Sequence, residues 1–120
     1  MSDVPIGYRD LDVWQKAMKL VEAVYCIGRD MPDSERFGLT SQMQRAAVSV
    51  PSNIAEGYGR GGGDYRRFVL IARGSLMELE TQLELAVRLG LAKRDQVAAA
   101  WPLTQDVGRM LTRLAAALHR

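Results

Sequence analysis

The chain has 120 residues, of which 48% are hydrophobic and 25% charged, the composition of a single globular domain. Its formal net charge is only +2, so the positions of the charges are more informative than their sum. The single cysteine, Cys26, excludes an intrachain disulfide and a thiol-based zinc site. Residues 1–9 form a leader without an apolar signal region, and no stretch approaches the ~18 apolar residues of a membrane span. We therefore expect a cytoplasmic protein whose single domain covers residues 10–120.

A first helix is predicted from Asp10, its candidate N-cap, to about Gly28. Two apolar stripes run along it at three- and four-residue spacing. One contains Leu11, Trp14, Met18, Val21 and Tyr25, and the other contains Val13, Ala17, Leu20, Val24 and Ile27. At ~100° per residue the stripes cover about 200° of the surface, more than one bundle seam needs. We expect the second stripe to form an oligomer interface through Val13, Leu20, Val24 and Ile27; the alternative is a deeply buried helix.

A second helix is predicted from about Glu35 to Gly59, with Pro51 in its interior. A proline inside a helix removes a backbone hydrogen bond and clashes with the preceding turn. The apolar stripe nevertheless continues from Val50 to Ile54, so the pattern predicts one kinked helix rather than two.

A polar stripe runs beside the apolar one on this second helix. Its members are Gln42, Arg45, Ser49, Asn53, Glu56 and Arg60. In one interpretation, hydrogen bonds to the third helix fix the register of the bundle, in a polar interhelical lock of Arg45, Ser49, Asn53, Glu56 and Glu78. In the other, the stripe is a recognition surface for a partner.

Two further helices complete the predicted fold. The third begins near Asp64, its candidate N-cap, and Gly74 and Ser75 in its middle predict the close approach of another backbone. The fourth follows Asp95, although Pro102 indicates either a distorted first turn or a later start. Because the connections are short, we expect an all-α, antiparallel up-down-up-down four-helix bundle.

Residues suited to catalysis or metal binding are sparse and poorly placed. Glu80 and Glu84 lie four residues apart, but the only histidine is the penultimate residue, His119. The glycine-rich turn before Asp64 lacks the Gly-Lys-Ser/Thr ending of a phosphate-binding loop. We therefore expect no enzyme, no metal and no cofactor, and we interpret the turn as a flexible connection.

The strongest functional signal is a group of four arginines around the glycine-rich turn. Arg60, Arg66, Arg67 and Arg73 lie in a stretch whose only acidic residue is Asp64. Guanidinium groups suit phosphate, and clustered cations are the electrostatic signature of nucleic-acid binding. The alternative is that these arginines pair with nearby carboxylates and only solvate the surface.

Several motifs together resemble the bacterial S23 family, named after open reading frames in intervening sequences of 23S ribosomal RNA genes. The resemblance covers about residues 8–92. It rests chiefly on Leu11-Asp-Val-Trp14, Phe37-Gly-Leu39, Arg45-Ala-Ala47, Ser49-Val-Pro-Ser-Asn-Ile-Ala-Glu-Gly57 and Gly74-Ser-Leu76. It implies a four-helix bundle that assembles as a homopentamer. A more distant similarity is to the accessory proteins of diversity-generating retroelements, basic pentamers that associate with nucleic acid and a reverse transcriptase.

These observations lead to two functional hypotheses. The first is a non-enzymatic oligomeric module that binds RNA or DNA phosphates through the four arginines. The second is a homo-oligomeric scaffold that binds a protein partner and has no nucleic-acid role. Nucleic acid that accompanies the purified protein would favour the first hypothesis.

Overall fold

The computed structural model describes residues 7–118, and every regular element in that range is helical. The α-helices are α1 (Asp12–Arg29), α2 (Leu39–Arg60), α3 (Gly62–Arg88), the short α4 (Arg94–Val97) and α5 (Trp101–Ala117). The four long helices form a bundle in which α1 and α3 each pack against both α2 and α5. The predicted all-α class and four-helix bundle are therefore confirmed. The predicted leader falls largely on residues 1–6, which lie outside the described residues.

The core of the bundle is formed by one face of each long helix. Its fully buried large side chains include Leu20, Val24, Met43, Val50, Ile54, Val69, Leu76, Leu79, Leu83, Val107 and Leu111. Burial of each contributes about 1.5–3 kcal/mol relative to exposure, so this shared face stabilises the fold. Because the opposite faces stay polar, none of the described helices is both long and apolar enough to cross a membrane.

The burial of the two apolar stripes of α1 differs from the prediction. Val13, Leu20, Val24 and Ile27 are at most 6% exposed and lie in the core of the single chain. They cannot contact another subunit, so the predicted oligomer interface was wrong at all four positions. The physical reason is that α1 packs against both α2 and α5, which requires a wider apolar face than one seam does. The other stripe, which includes Met18, reaches the surface.

The starts of α1, α2 and α3 differ from the sequence prediction. A 3-10 turn over Gly7–Asp10 precedes α1, so Asp10 is not its N-cap. Another 3-10 turn, Asp33–Glu35, delays α2 to Leu39, whose backbone N–H donates to the Glu35 carboxylate at 3.3 Å. The α3 helix begins at Gly62, which places Asp64 within its first turn rather than at its N-cap.

The predicted fourth helix is divided into α4 and α5. The short α4 precedes the regular helix, and the Lys93 backbone N–H donates to Gln96 Oε1 at 2.7 Å, so Asp95 is not the cap. Pro102 occupies the first turn of α5. Backbone N–H groups in a first turn have no partner within the helix, so a proline costs no hydrogen bond there. Of the two alternatives, the later start is the correct one.

Pro51 does not divide α2, which is continuous from Leu39 to Arg60. Its side chain is buried in the bundle, so packing offsets part of the lost backbone hydrogen bond. The prediction of one helix is confirmed, and the kink stays a prediction.

A close approach between α2 and α3 occurs at Gly57, and not at Gly74 as predicted. A Cβ atom at Gly57 would lie 2.7 Å from Phe68 Cβ and 3.2 Å from the Tyr65 carbonyl oxygen, so any larger residue would clash. A Cβ atom at Gly74 would meet nothing within 4 Å. The prediction at Gly74 was wrong because a helix glycine can equally well lie on the solvent face.

Candidate nucleic-acid interface

In the described part of the chain, the polar stripe of α2 makes a single side-chain hydrogen bond to α3. Ser49 Oγ and Ser75 Oγ are 2.8 Å apart. Asn53 Nδ2 donates to the Ser49 backbone oxygen at 2.8 Å and to Ser49 Oγ at 2.9 Å. Because a hydroxyl has one proton and two acceptor positions, Ser49 can accept from Asn53 and still bond to Ser75, with either serine as the donor.

The remaining members of the predicted lock bond within their own helices. Each pairs with a residue four positions away: Arg45 with Ser41, Glu56 with Arg60, and Glu78 with Gln82. These three members are exposed, and residues four apart on a helix surface are nearer than the facing helix. The predicted lock was therefore wrong at Arg45, Glu56 and Glu78, and it reduces to the serine pair with its supporting asparagine.

Two of the four predicted arginines, Arg60 and Arg67, surround one aromatic ring beside the glycine-rich turn. Their guanidinium carbons lie 5.1 and 4.7 Å from the centroid of Phe68. Asp64 is 3.7 Å from Arg60 and 3.5 Å from Arg67, and Glu56 is 3.1 Å from Arg60. We call Arg60 and Arg67 the turn arginines. Their nearby carboxylates partly neutralise them, which weakens their attraction for phosphate.

Arg66 has a structural contact that the sequence did not reveal. Its Nε donates to the Ala115 backbone oxygen at 3.2 Å, near the C-terminal end of α5. The last carbonyls of a helix lack intrahelical donors and carry partial negative charge, so a guanidinium stabilises them. Arg66 therefore ties α3 to α5 and is only partly available to a ligand.

Arg73 faces the groove between α3 and α5, where α5 contributes Arg109 and Arg113. The groove has a volume of about 460 Å³ and is lined by Arg73, Leu76, Met77, Glu80, Thr104, Gln105, Gly108, Arg109, Thr112 and Arg113. Arg109 pairs with Asp106, whereas Arg73 and Arg113 have no ion-pair partner among residues 7–118. We call Arg73, Arg109 and Arg113 the groove arginines. Of the four predicted arginines, only Arg73 belongs to this cluster, so the four do not share one surface.

The floor of this groove is apolar. Leu76 lies under Gly108, where an added Cβ would meet its Cδ2 atom at 3.4 Å. Met77 is 55% exposed on the same wall. The groove therefore combines cations at its rim with apolar surface below, a combination that suits an anion with a flat or apolar body.

Glu80 lies in this groove and in the depression next to it. This second depression, about 370 Å³, is lined by Glu80, Thr81, Glu84, Leu85, Arg88 and Trp101. Burial raises the pKa of the Glu80 carboxyl. Glu84 shows the opposite effect, because hydrogen bonds from Arg94 and Arg88 lower the pKa of its carboxyl. Trp101, at the start of α5, is 39% exposed beside them.

Sequence reasoning missed Arg109, Arg113 and Trp101. The two arginines lie four residues apart, a spacing that places them on one face of the last helix. Arg66 and Arg73 are seven residues apart and so also share one face of their helix, and short connections favour contact between consecutive helices. Trp101 precedes Pro102 in the sequence, and its exposure depends on where the helix starts.

Within residues 7–118, no three His, Cys, Asp or Glu side chains lie close enough together to hold a metal ion. His119 lies outside the described residues. Glu84 is engaged at 3.0 Å by Arg88 and at 3.2 Å by Arg94, which makes it an ion-pair residue at the surface.

The helices and the arginine-lined groove define an all-α four-helix-bundle protein with a basic recess. The family model of the 23S rRNA-intervening sequence protein matches residues 9–113, and the chain belongs to this family. A crystal structure of a protein of unknown function from the S23 ribosomal protein family, from Bacteroides thetaiotaomicron, has a TM-score of 0.78 at 20% identity. The match covers 86% of this chain and 97% of that one, and at this identity it shows the fold alone. No curated protein sequence matches the chain.

Proposed function

We propose that this protein is a non-enzymatic, homo-oligomeric module of the cytoplasm that binds RNA or DNA through contacts between arginines and phosphates. The proposal includes the antiparallel up-down-up-down course of the four helices and the homopentamer that the family resemblance implies. Repetition of the site in each subunit would strengthen binding, because linked weak contacts act together.

The observation that carries the proposal is the convergence of Arg73, Arg109 and Arg113 on one groove. Two of these cations lack an acidic partner in the described structure, so their charge is available to an anion. Arginine is the side chain best matched to phosphate geometry, and phosphate contacts provide most of the affinity of sequence-independent nucleic-acid binding. The turn arginines add further positive charge to α3, although Asp64 offsets part of it.

The proposal can be tested by measuring binding as a function of salt. Purified protein should carry nucleic acid, which is detected by the ultraviolet absorbance of its bases. The protein should release this nucleic acid as the salt concentration rises. A variant in which the groove and turn arginines become glutamate should elute free of nucleic acid. Arg66 is left unchanged because of its contact with Ala115. Equal binding by the variant and the parent protein would contradict the proposal.

A second candidate function, a scaffold for a protein partner, is supported by an apolar groove between α1 and α2. This groove, about 350 Å³, is lined by Tyr8, Trp14, Met18, Val21, Val48, Pro51, Ser52 and Ala55. It includes the stripe of α1 that remains at the surface of the bundle. The scaffold predicts that M18E abolishes partner binding or self-assembly in light scattering, while no nucleic acid accompanies either protein.

A further inference from the structure

We propose that the groove between α3 and α5 binds single-stranded nucleic acid, with phosphates at Arg73, Arg109 and Arg113 and a base stacked on Trp101. This inference rests on the proposed function, to which it adds the form of the nucleic acid and the path that it takes. It involves four residues, of which sequence reasoning had singled out only Arg73 as part of a binding surface.

The shape of the site favours a single strand. The arginine-lined groove and the depression beside it have volumes of about 460 and 370 Å³. Volumes of about 300–1,000 Å³ are typical of sites that hold small molecules, so each recess has the size for individual nucleotide units. A duplex is read by an element that protrudes into its groove. Here the cations line a recess between two helices, and no helix or strand of the described residues protrudes from it to enter a groove of the duplex.

The charges of the groove arginines provide the phosphate contacts. Arg73 and Arg113 are free of ion pairs within the described structure, and Arg109 pairs only with the half-buried Asp106. Lys16 of α1 also contacts Asp106, at 3.2 Å, so that carboxylate keeps a cationic partner when Arg109 turns to a phosphate. Asp106 therefore keeps an ion-pair partner when the groove accepts a phosphate, and Glu80 is the acidic side chain of the groove lining that the strand passes.

Trp101 provides the surface for a base. Sites for single strands combine a positive groove with aromatic side chains on which bases stack. No aromatic ring lines the arginine groove itself, but Glu80 borders both recesses, so the groove continues into the depression that contains Trp101. Arg88 lines the same depression, where it pairs with Glu84. A strand that leaves the groove arginines therefore reaches Trp101 next.

Tryptophan fluorescence offers a direct test, in the full-length chain with Trp14 changed to phenylalanine so that only Trp101 emits. The probe is a thymidine oligonucleotide of about 16 nucleotides, within the range that single-strand sites cover. Its duplex with an equally long adenosine strand is the comparison. We expect the single strand to quench Trp101 and to bind at least tenfold more tightly than the duplex.

Matched variants separate the groove from other basic surface. R73Q/R109Q/R113Q should lose at least tenfold in single-strand affinity, and the slope of log K against log salt should fall by about 2, at about 0.7 per phosphate contact. R29Q/R36Q removes two exposed cations at the connection between α1 and α2, outside the proposed site, and should stay within about threefold of the parent. W101A should weaken binding roughly 5- to 150-fold, the range for loss of one stacked base. W101F, with a smaller ring, should retain most of the affinity. Circular dichroism checks that each variant is folded.

The possible outcomes distinguish the inference from the proposed function. If the groove variant binds the single strand like its parent, or if binding leaves Trp101 emission unchanged, the inference fails and the proposed function stands. Tighter binding of the duplex than of the single strand would likewise contradict the inference and leave the proposed function standing. If neither nucleic acid binds, both fail, and quenching of Trp101 by an acidic helical peptide would instead assign the groove to a protein.

Discussion

Ser49 and Ser75 join α2 to α3 through hydroxyl groups that are 2.8 Å apart. Asn53 also donates to Ser49 Oγ, at 2.9 Å, so this hydroxyl takes part in two hydrogen bonds. Apolar contacts tolerate small displacements along a helix, whereas a hydrogen bond of this length does not. The pair therefore fixes one point of register between α2 and α3, whereas Arg45, Glu56 and Glu78 bond within their own helices.

Removal of either serine hydroxyl should destabilise the protein. We expect S75A to lower the free energy of unfolding by about 0.5–1.5 kcal/mol, the net contribution of one hydrogen bond, and S49A to lower it by at least as much, because it also removes an acceptor of Asn53. Urea denaturation measures this change. In S49A/S75A the combined loss should be smaller than the sum of the two single losses, because the same bond is removed in each. Strict additivity would show that the hydroxyls do not interact.

The two helix glycines should respond oppositely to alanine. G57A places a methyl group against Phe68 and the backbone of α3, so we expect the free energy of unfolding to fall by about 1–3 kcal/mol. G74A meets open space and should raise that free energy by about 1 kcal/mol through helix propensity. Thermal unfolding of both variants tests the pair, and equal effects would contradict the described packing of α2 on α3.

Arg66 and Arg67 are adjacent in sequence but should differ in their effects on stability. R66Q weakens the bond to the Ala115 carbonyl oxygen, and we expect a loss of about 1 kcal/mol, discounted for the partial exposure of the arginine. R67Q removes an exposed ion pair with Asp64 and should change stability by less than about 0.5 kcal/mol. Chemical denaturation of the two variants measures both changes in the free energy of unfolding. A larger loss of stability for R67Q than for R66Q would be inconsistent with the structure.

Glu80 should make stability decrease with rising pH. Burial raises the pKa of its carboxyl, so the folded state holds the proton more tightly than the unfolded state does. As the pH rises from the pKa of this carboxyl in the unfolded state to its pKa in the folded state, the free energy of unfolding therefore falls. We expect E80Q to raise the melting temperature at neutral pH, with the gain disappearing below the ordinary carboxyl pKa.

Glu84 serves as the control for this prediction. Arg94 and Arg88 lower the pKa of its carboxyl, so its contribution is present at neutral pH and is lost as the pH falls through the folded pKa. E84Q should therefore not raise the melting temperature at neutral pH. Melting curves at several pH values compare the two variants, and a gain for E84Q equal to that for E80Q would refute the assigned environments.

Much of the fold could be predicted because helical periodicity is a local property. The stripe of α2 identified Val50 and Ile54 as core residues, and burial confirms them. Helix ends were less predictable, because a 3-10 turn at Glu35 and the late start at Trp101 depend on how the connections pack. Motif resemblance identified the family from residues that are close together in the chain.

The candidate site was less predictable, because it depends on contacts between distant residues. The amino-acid sequence alone determined the all-α class, the apolar faces of the helices and the concentration of arginines after Gly59. Only the tertiary structure decided that Arg66 contacts the end of α5, that Arg73 shares a groove with Arg109 and Arg113, and that the predicted interface of α1 is core. The physical reason is that periodicity defines which face of a helix a residue occupies, whereas the neighbouring helix decides what that face contacts.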